Sequence, residues 1–147
     1  MKAQLILENG KRFSGNLFGD MRNVGGKAVF STEMVAYQNV LIDAKYDGKI
    51  VVMTFPLIGN YGVNIEDIGA NKITPKAMIM REKCDFPSNF RMEMKLEDFF
   101  KQKGIVGLYG VDTRAVAKQL REKEMKAVIM QGEPTDDEVN AFFKEVE

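Results

Sequence analysis

The sequence predicts an α/β fold with mixed sheets, and three of its features lead there. These are a tight hairpin signal near the start, short β-branched runs spread along the chain, and amphipathic helical stretches between and after the last of those runs. With 147 residues, 45% of them hydrophobic, the chain has the size of one compact domain that can bury a core without disulfides or metal. Residues 1–132 are therefore read as one domain, and residues 133–147 as a terminal helix beyond it.

The elements follow in order. Gln4 to Glu8 and Lys11 to Ser14 flank Asn9-Gly10, a dipeptide that readily takes the positive φ of a type I′ turn, so a β-hairpin is expected. Residues 28–32 and 49–55 are β-branched and aromatic; the second run is continuous enough to be a central strand covered on both faces, and Pro56 ends it. Further strands are expected at 75–81, 105–109 and 126–130. The last two bracket a helical stretch in the order of a crossover, which predicts a partly parallel sheet. Helices are expected at 95–103, stopped by Gly104, and at 113–122, capped by Asp112. At the end, Thr135-Asp136-Asp137-Glu138 is a capping box, and Val139, Phe142, Phe143 and Val146 form one apolar face. That helix has no later strand to pack upon, so the chain is expected to be cut from something longer.

Composition narrows function. Lys plus Arg and Asp plus Glu number 21 each, so no positive excess favours nucleic acid or an anionic membrane surface. No run reaches the roughly 18 apolar residues of a spanning helix. Cys84 is the single cysteine, which excludes an internal disulfide and fits a reducing, cytoplasmic setting. The absence of histidine removes Ser/His and Cys/His catalysis and imidazole metal sites. Neither catalytic residues nor a metal or other cofactor are expected.

Read in order, residues 30–38, 41–46, 55–64, 88–91 and 110–114 resemble the small subunit of glutamine-dependent carbamoyl phosphate synthetase, and Leu120-Arg121-Glu122-Lys123 extends the likeness over nearly the whole chain. The resemblance implies a swivelling three-layer β/β/α domain that docks on the large synthetase subunit and holds a glutaminase domain. That glutaminase would lie beyond residue 147; it supplies ammonia for carbamoyl phosphate, which feeds arginine and pyrimidine synthesis. The sequence departs from the family at Val35, Ala36, Asn39, Ala44 and Lys45. In the family, a serine at the position of Lys45 reaches the bound glutamine; here a long cation stands there instead. The alternative is a free-standing, diverged interaction or self-associating protein with no part in glutamine hydrolysis.

The candidate interface residues are Asp112, Thr113 and Arg114, together with Phe142 and Phe143. The first three read either as a capped helix start or as a structural corner near a subunit interface. Arg114, Lys118 and Arg121 fall at helical spacing and form either a docking stripe for an acidic surface or a solvated face. Cys84 lacks a base and is read as structural. Gly25-Gly26 and the 59–64 loop, which ends without the Gly-Lys-Ser/Thr of a nucleotide cradle, are read as structural glycines. The neighbouring carboxylates Glu66-Asp67, Glu97-Asp98 and Asp136-Asp137 point in different directions and make no acid/base couple.

Overall fold

The hairpin signalled by Asn9-Gly10 forms: β1 (Lys2–Leu7) and β2 (Arg12–Gly19) pair antiparallel, with Leu5 opposite Phe13. The turn is not type I′, because that turn needs positive φ at two successive residues and only Gly10, at φ 92°, takes it. Gly10 N–H donates to Leu7 O and Leu7 N–H to Lys11 O, both at 2.9 Å, which makes a three-residue loop closed by a left-handed glycine. The Asn9 side chain is used locally instead, accepting from Lys11 N–H at 3.0 Å.

The structure, a computed structural model, describes residues 1–31, 46–54, 57–58, 74–83 and 96–146. Among these the remaining elements are β3 (Val24–Ser31), β4 (Ile50–Met53), β5 (Leu57–Ile58), β6 (Ala77–Ile79), β7 (Glu82–Lys83), α1 (Leu96–Lys103), β8 (Val106–Tyr109), α2 (Thr113–Glu122), β9 (Met125–Gln131) and α3 (Asp136–Glu145). Seven strands close into a barrel in the order β1, β2, β8, β6, β4, β3, β9, while β5 and β7 form a separate parallel pair.

The barrel is mixed, as expected, but its parallel part lies elsewhere. β3, β4, β6 and β8 are successive parallel neighbours, whereas β9 runs antiparallel to both β1 and β3. The crossover read from β8, α2 and β9 is thus corrected: both edges of β8 are already taken by β2 and β6, and β9 fills the remaining gap between β1 and β3. β4 is the central strand predicted for it, parallel to strands on both sides and buried at every position.

Side-chain alternation divides the core. Leu5, Leu7, Leu17, Ile50, Val52, Ile79, Leu108 and Ile129 point into the barrel. Val116 and Leu120 of α2 join the same cluster, so this helix packs into the core of the barrel. The intervening Val51, Met53, Met78 and Met80 are also fully buried, which leaves β4 and β6 covered on both faces. On the outside, Phe100 of α1 stacks on Phe18 with ring centroids 5.2 Å apart. Any Cβ at Gly107 would overlap the Phe18 ring, so glycine in β8 is what lets that ring lie flat on the strand.

The capping box of α3 is complete: Glu138 N–H donates to Thr135 Oγ1 at 3.2 Å, and Thr135 N–H to Glu138 Oε1 at 3.3 Å. Its apolar stripe is not left without a surface, as the sequence suggested. Val139, Phe142, Phe143 and Val146 pack on Ile6, Val128 and Met130, the outward residues of β1 and β9. The missing strand was already present, since alternate positions of the two strands that close the barrel supply the apolar patch.

Candidate functional site

One end of the barrel carries the corner at Asp112, Thr113 and Arg114 that the sequence singled out. β3, β4, β6 and β8 run in the same direction, so their C-terminal residues Ser31, Met53, Ile79 and Tyr109 emerge together. Of the resemblance-bearing stretches, residues 30–38 begin in the last two residues of β3, residues 55–64 begin two positions after β4 ends and residues 110–114 follow β8 directly, all three from strands that end here.

The described part of this end is the turn from β8 into α2. Gly110, at φ 81°, reverses the chain and donates its N–H to Arg81 O at 3.0 Å; Val111 N–H reaches Met80 O at 3.4 Å. Asp112 caps α2 by accepting from Ala115 N–H at 3.2 Å. Thr113 is only 1% exposed, so it is part of the packed corner and presents nothing outward. Arg114, Lys118 and Arg121 are exposed along one side of α2, and the Arg121 guanidinium lies 5.5 Å over the Phe30 ring. Asn9 Nδ2 donates to Gln119 Oε1 at 3.0 Å, tying α2 to the first hairpin.

A shallow depression at this corner is lined by Arg81, Gly110, Val111 and Asp112. Its described lining offers the Arg81 guanidinium, peptide groups and the Asp112 carboxylate that caps α2, a set with one donor cation and one acceptor anion suited to polar contacts of either sign. Sequence alone does not single out Arg81, because only the pairing of β6 with β8 brings it beside Asp112. The available signal was a basic residue at the last position of a buried strand run.

Phe142 and Phe143 lie elsewhere. β8 and β9 are separated around the ring by β2 and β1 on one side and by β6, β4 and β3 on the other, so the Asp112 corner and the α3 face are on opposite walls. Both phenylalanines are half-buried against the barrel. The five candidate interface residues accordingly belong to two surfaces. Lys45, Cys84, the 59–64 loop, Glu66-Asp67 and the departures at Val35, Ala36, Asn39 and Ala44 lie outside the described residues.

Gly25-Gly26 has the structural role read for it. A Cβ at Gly25 would overlap Val146 and crowd Phe142, and one at Gly26 would come within 3.1 Å of Gly48 O. Remote from the corner, the Glu124 carboxyl is held below its ordinary range by the hydrogen bond from Lys27 and then by that cation's charge. Among the described residues no group of three or more His, Cys, Asp or Glu could hold a metal ion, and no helix is long and apolar enough to cross a membrane.

The family described as carbamoyl-phosphate synthase small chain, CPSase domain, matches residues 5–130. A carbamoyl phosphate synthase small chain from Clostridium perfringens is 47% identical over 147 residues, covering 97% of this chain and 42% of the relative. One from Fusobacterium nucleatum is 46% identical over 143 residues, covering 96% and 40%. A pyrimidine-specific small chain from Bacillus subtilis is 46% identical over 123 residues, covering 82% and 33%. The chain thus spans about two-fifths or less of the length of these relatives.

Proposed function

Because the chain belongs to the carbamoyl phosphate synthase small-chain family, we propose that it is the N-terminal, non-catalytic docking domain of a glutamine-dependent carbamoyl phosphate synthase. In this reading it binds the large synthetase subunit and supports a glutaminase domain that delivers ammonia for carbamoyl phosphate, in the cytoplasm. The observation that carries the reading is the extent of the match. Residues 5–130 run from within β1 to within β9, so the family signal covers the whole closed barrel and leaves α3 outside it.

In this reading residues 1–132 are the family domain, and residues 133–147 form the helix that leads toward the glutaminase. The finer architecture is the swivelling β/β/α arrangement, with opposite walls of the barrel as two β layers and the outer helices as the third. Asp112, Thr113 and Arg114 mark the surface that meets the large subunit, with Thr113 setting the shape of the corner and Arg81 and Arg114 supplying its charge. Phe142 and Phe143 mark the side that faces the glutaminase. Lys45, where the family has its glutamine-reaching serine, removes that contact, so glutamine is held without help from this domain.

The test is size-exclusion chromatography with light scattering on the 147-residue chain mixed with the large subunit from the same source, at physiological salt. A one-to-one complex that Arg81→Glu together with Arg114→Glu weakens at least tenfold supports docking through this corner. A discrete homo-oligomer that ignores the large subunit supports the free-standing reading instead and overturns the docking one.

A further inference from the structure

Arg12 is the one described side chain that joins three separate parts of the chain around the start of α3. Its Nη1 donates to Gln4 Oε1 on β1 at 3.0 Å and to the Pro134 carbonyl at 2.7 Å; its Nη2 donates to Asp136 Oδ1 in the first turn of α3, also at 2.7 Å. The three acceptors are unequal. Asp136 has a side chain 92% exposed, where a charge pair is screened by water, while the Gln4 and Pro134 bonds are part-buried and Pro134 itself is buried. One guanidinium nitrogen thus serves both part-buried acceptors and the other serves the exposed Asp136, so the hydrogen bonds to Gln4 and Pro134, more than the ion pair, are what the site uses.

The far end of α3 is held by shape. Gly25 leaves the space that Val146 and Phe142 occupy over β3, and Lys126 Nζ reaches Val146 O at 3.5 Å. Between these two fixtures the helix rests on the small outer cluster of Ile6, Val128, Met130 and Val139, separate from the interior cluster that α2 joins.

We propose that Arg12 is a positioning residue that latches α3 to the barrel, and that α3 is a strap able to release as a unit while the barrel stays closed. Such a latch sets the direction of α3 relative to the barrel. The inference goes beyond the docking reading and stands or falls apart from it, because its test needs no partner.

The experiment is native-state hydrogen exchange, read by residue on the 147-residue chain. Arg12→Gln is expected to speed exchange of the α3 amides by about tenfold or more while β4 and β8 keep their protection. Arg12→Met, which keeps an apolar stem but has no donor for Gln4 and Pro134, should behave like Arg12→Gln, and Asp136→Ala should change α3 exchange by less than about threefold. Unchanged α3 protection in Arg12→Gln overturns the latch, and so does equal loss across α3 and the barrel. If Arg12→Gln fails to fold, Arg12→Met decides: full α3 protection there, with no donor left for Gln4 and Pro134, overturns the latch.

Discussion

The two helices α2 and α3 are both ten residues long, both capped and both amphipathic, yet they meet the barrel differently. α2 sends Val116 and Leu120 into the cluster that also holds Leu5, Ile50, Val52 and Ile129, so its contacts are the contacts that keep the strands together. α3 covers only Ile6, Val128 and Met130 on the outside. Equal helices in sequence terms thus carry unequal shares of the fold, and what decides the share is whether the apolar face enters the main core or lies over a completed wall. The start of α2 is thereby tied to the main core, whereas α3 rests on an outer wall.

The sharpest way to break the comparison is a pair of truncations. Leu120, 2% exposed and inside the main cluster, should lose about 2–5 kcal/mol of unfolding free energy on replacement by alanine. Urea titration followed by circular dichroism should show one transition moved as a whole. Val139 is also buried, at 5%, but losing two methyl groups from the satellite should cost only about 1.5–2.5 kcal/mol. That loss should appear first as faster exchange in α3. If both variants shift the global midpoint equally, α3 is part of the core in all but position, and the contrast fails.

How far this arrangement could be read beforehand depends on whether a signal was local. The continuous run of β4, the cap at Asp112, the glycine stop at Gly104 and the box at Thr135 to Glu138 all rest on neighbouring residues, and all were legible. The handedness of the first turn was misread because Asn9 binds its own backbone and leaves the positive φ to Gly10 alone. The placement of β9 was misread because its pairing with β1 spans most of the chain, and periodicity carries no information about such a partner. The docking place of α3 had one signal, Gly25 within a strand, which marks close approach without saying by what. At the candidate site, Asp112 and Thr113 were found through helix capping, while Arg81 and Arg12 owe their roles to long-range pairing.

The cap of α3 gives a smaller effect that sharpens the same contrast. Thr135→Ala removes the acceptor of Glu138 N–H and breaks the box, which should cost about 1 kcal/mol. Since the loss falls on a strap, nuclear magnetic resonance should show it in the amides of residues 136–140, with the interior strands unmoved.

The smallest effect belongs to Lys27 and Glu124, whose side chains are 51% and 56% exposed and 2.8 Å apart, joining β3 to the turn between α2 and β9. The Glu124 carboxyl is held below its ordinary value of 4.5, so the pair's contribution is complete above that value and is lost as pH falls through the lower, folded one. At this exposure the contribution should stay under about 0.5 kcal/mol, further reduced by salt. Glu124→Gln should therefore match the parent closely in urea at neutral pH, and the remaining difference should vanish in acid. A loss above about 1 kcal/mol at neutral pH would mean that a surface pair anchors the α2–β9 junction. The hold of α2 on the barrel would then come partly from outside the core, and the distinction between a helix built into the fold and a helix strapped upon it would have to be drawn by charge as well as by burial.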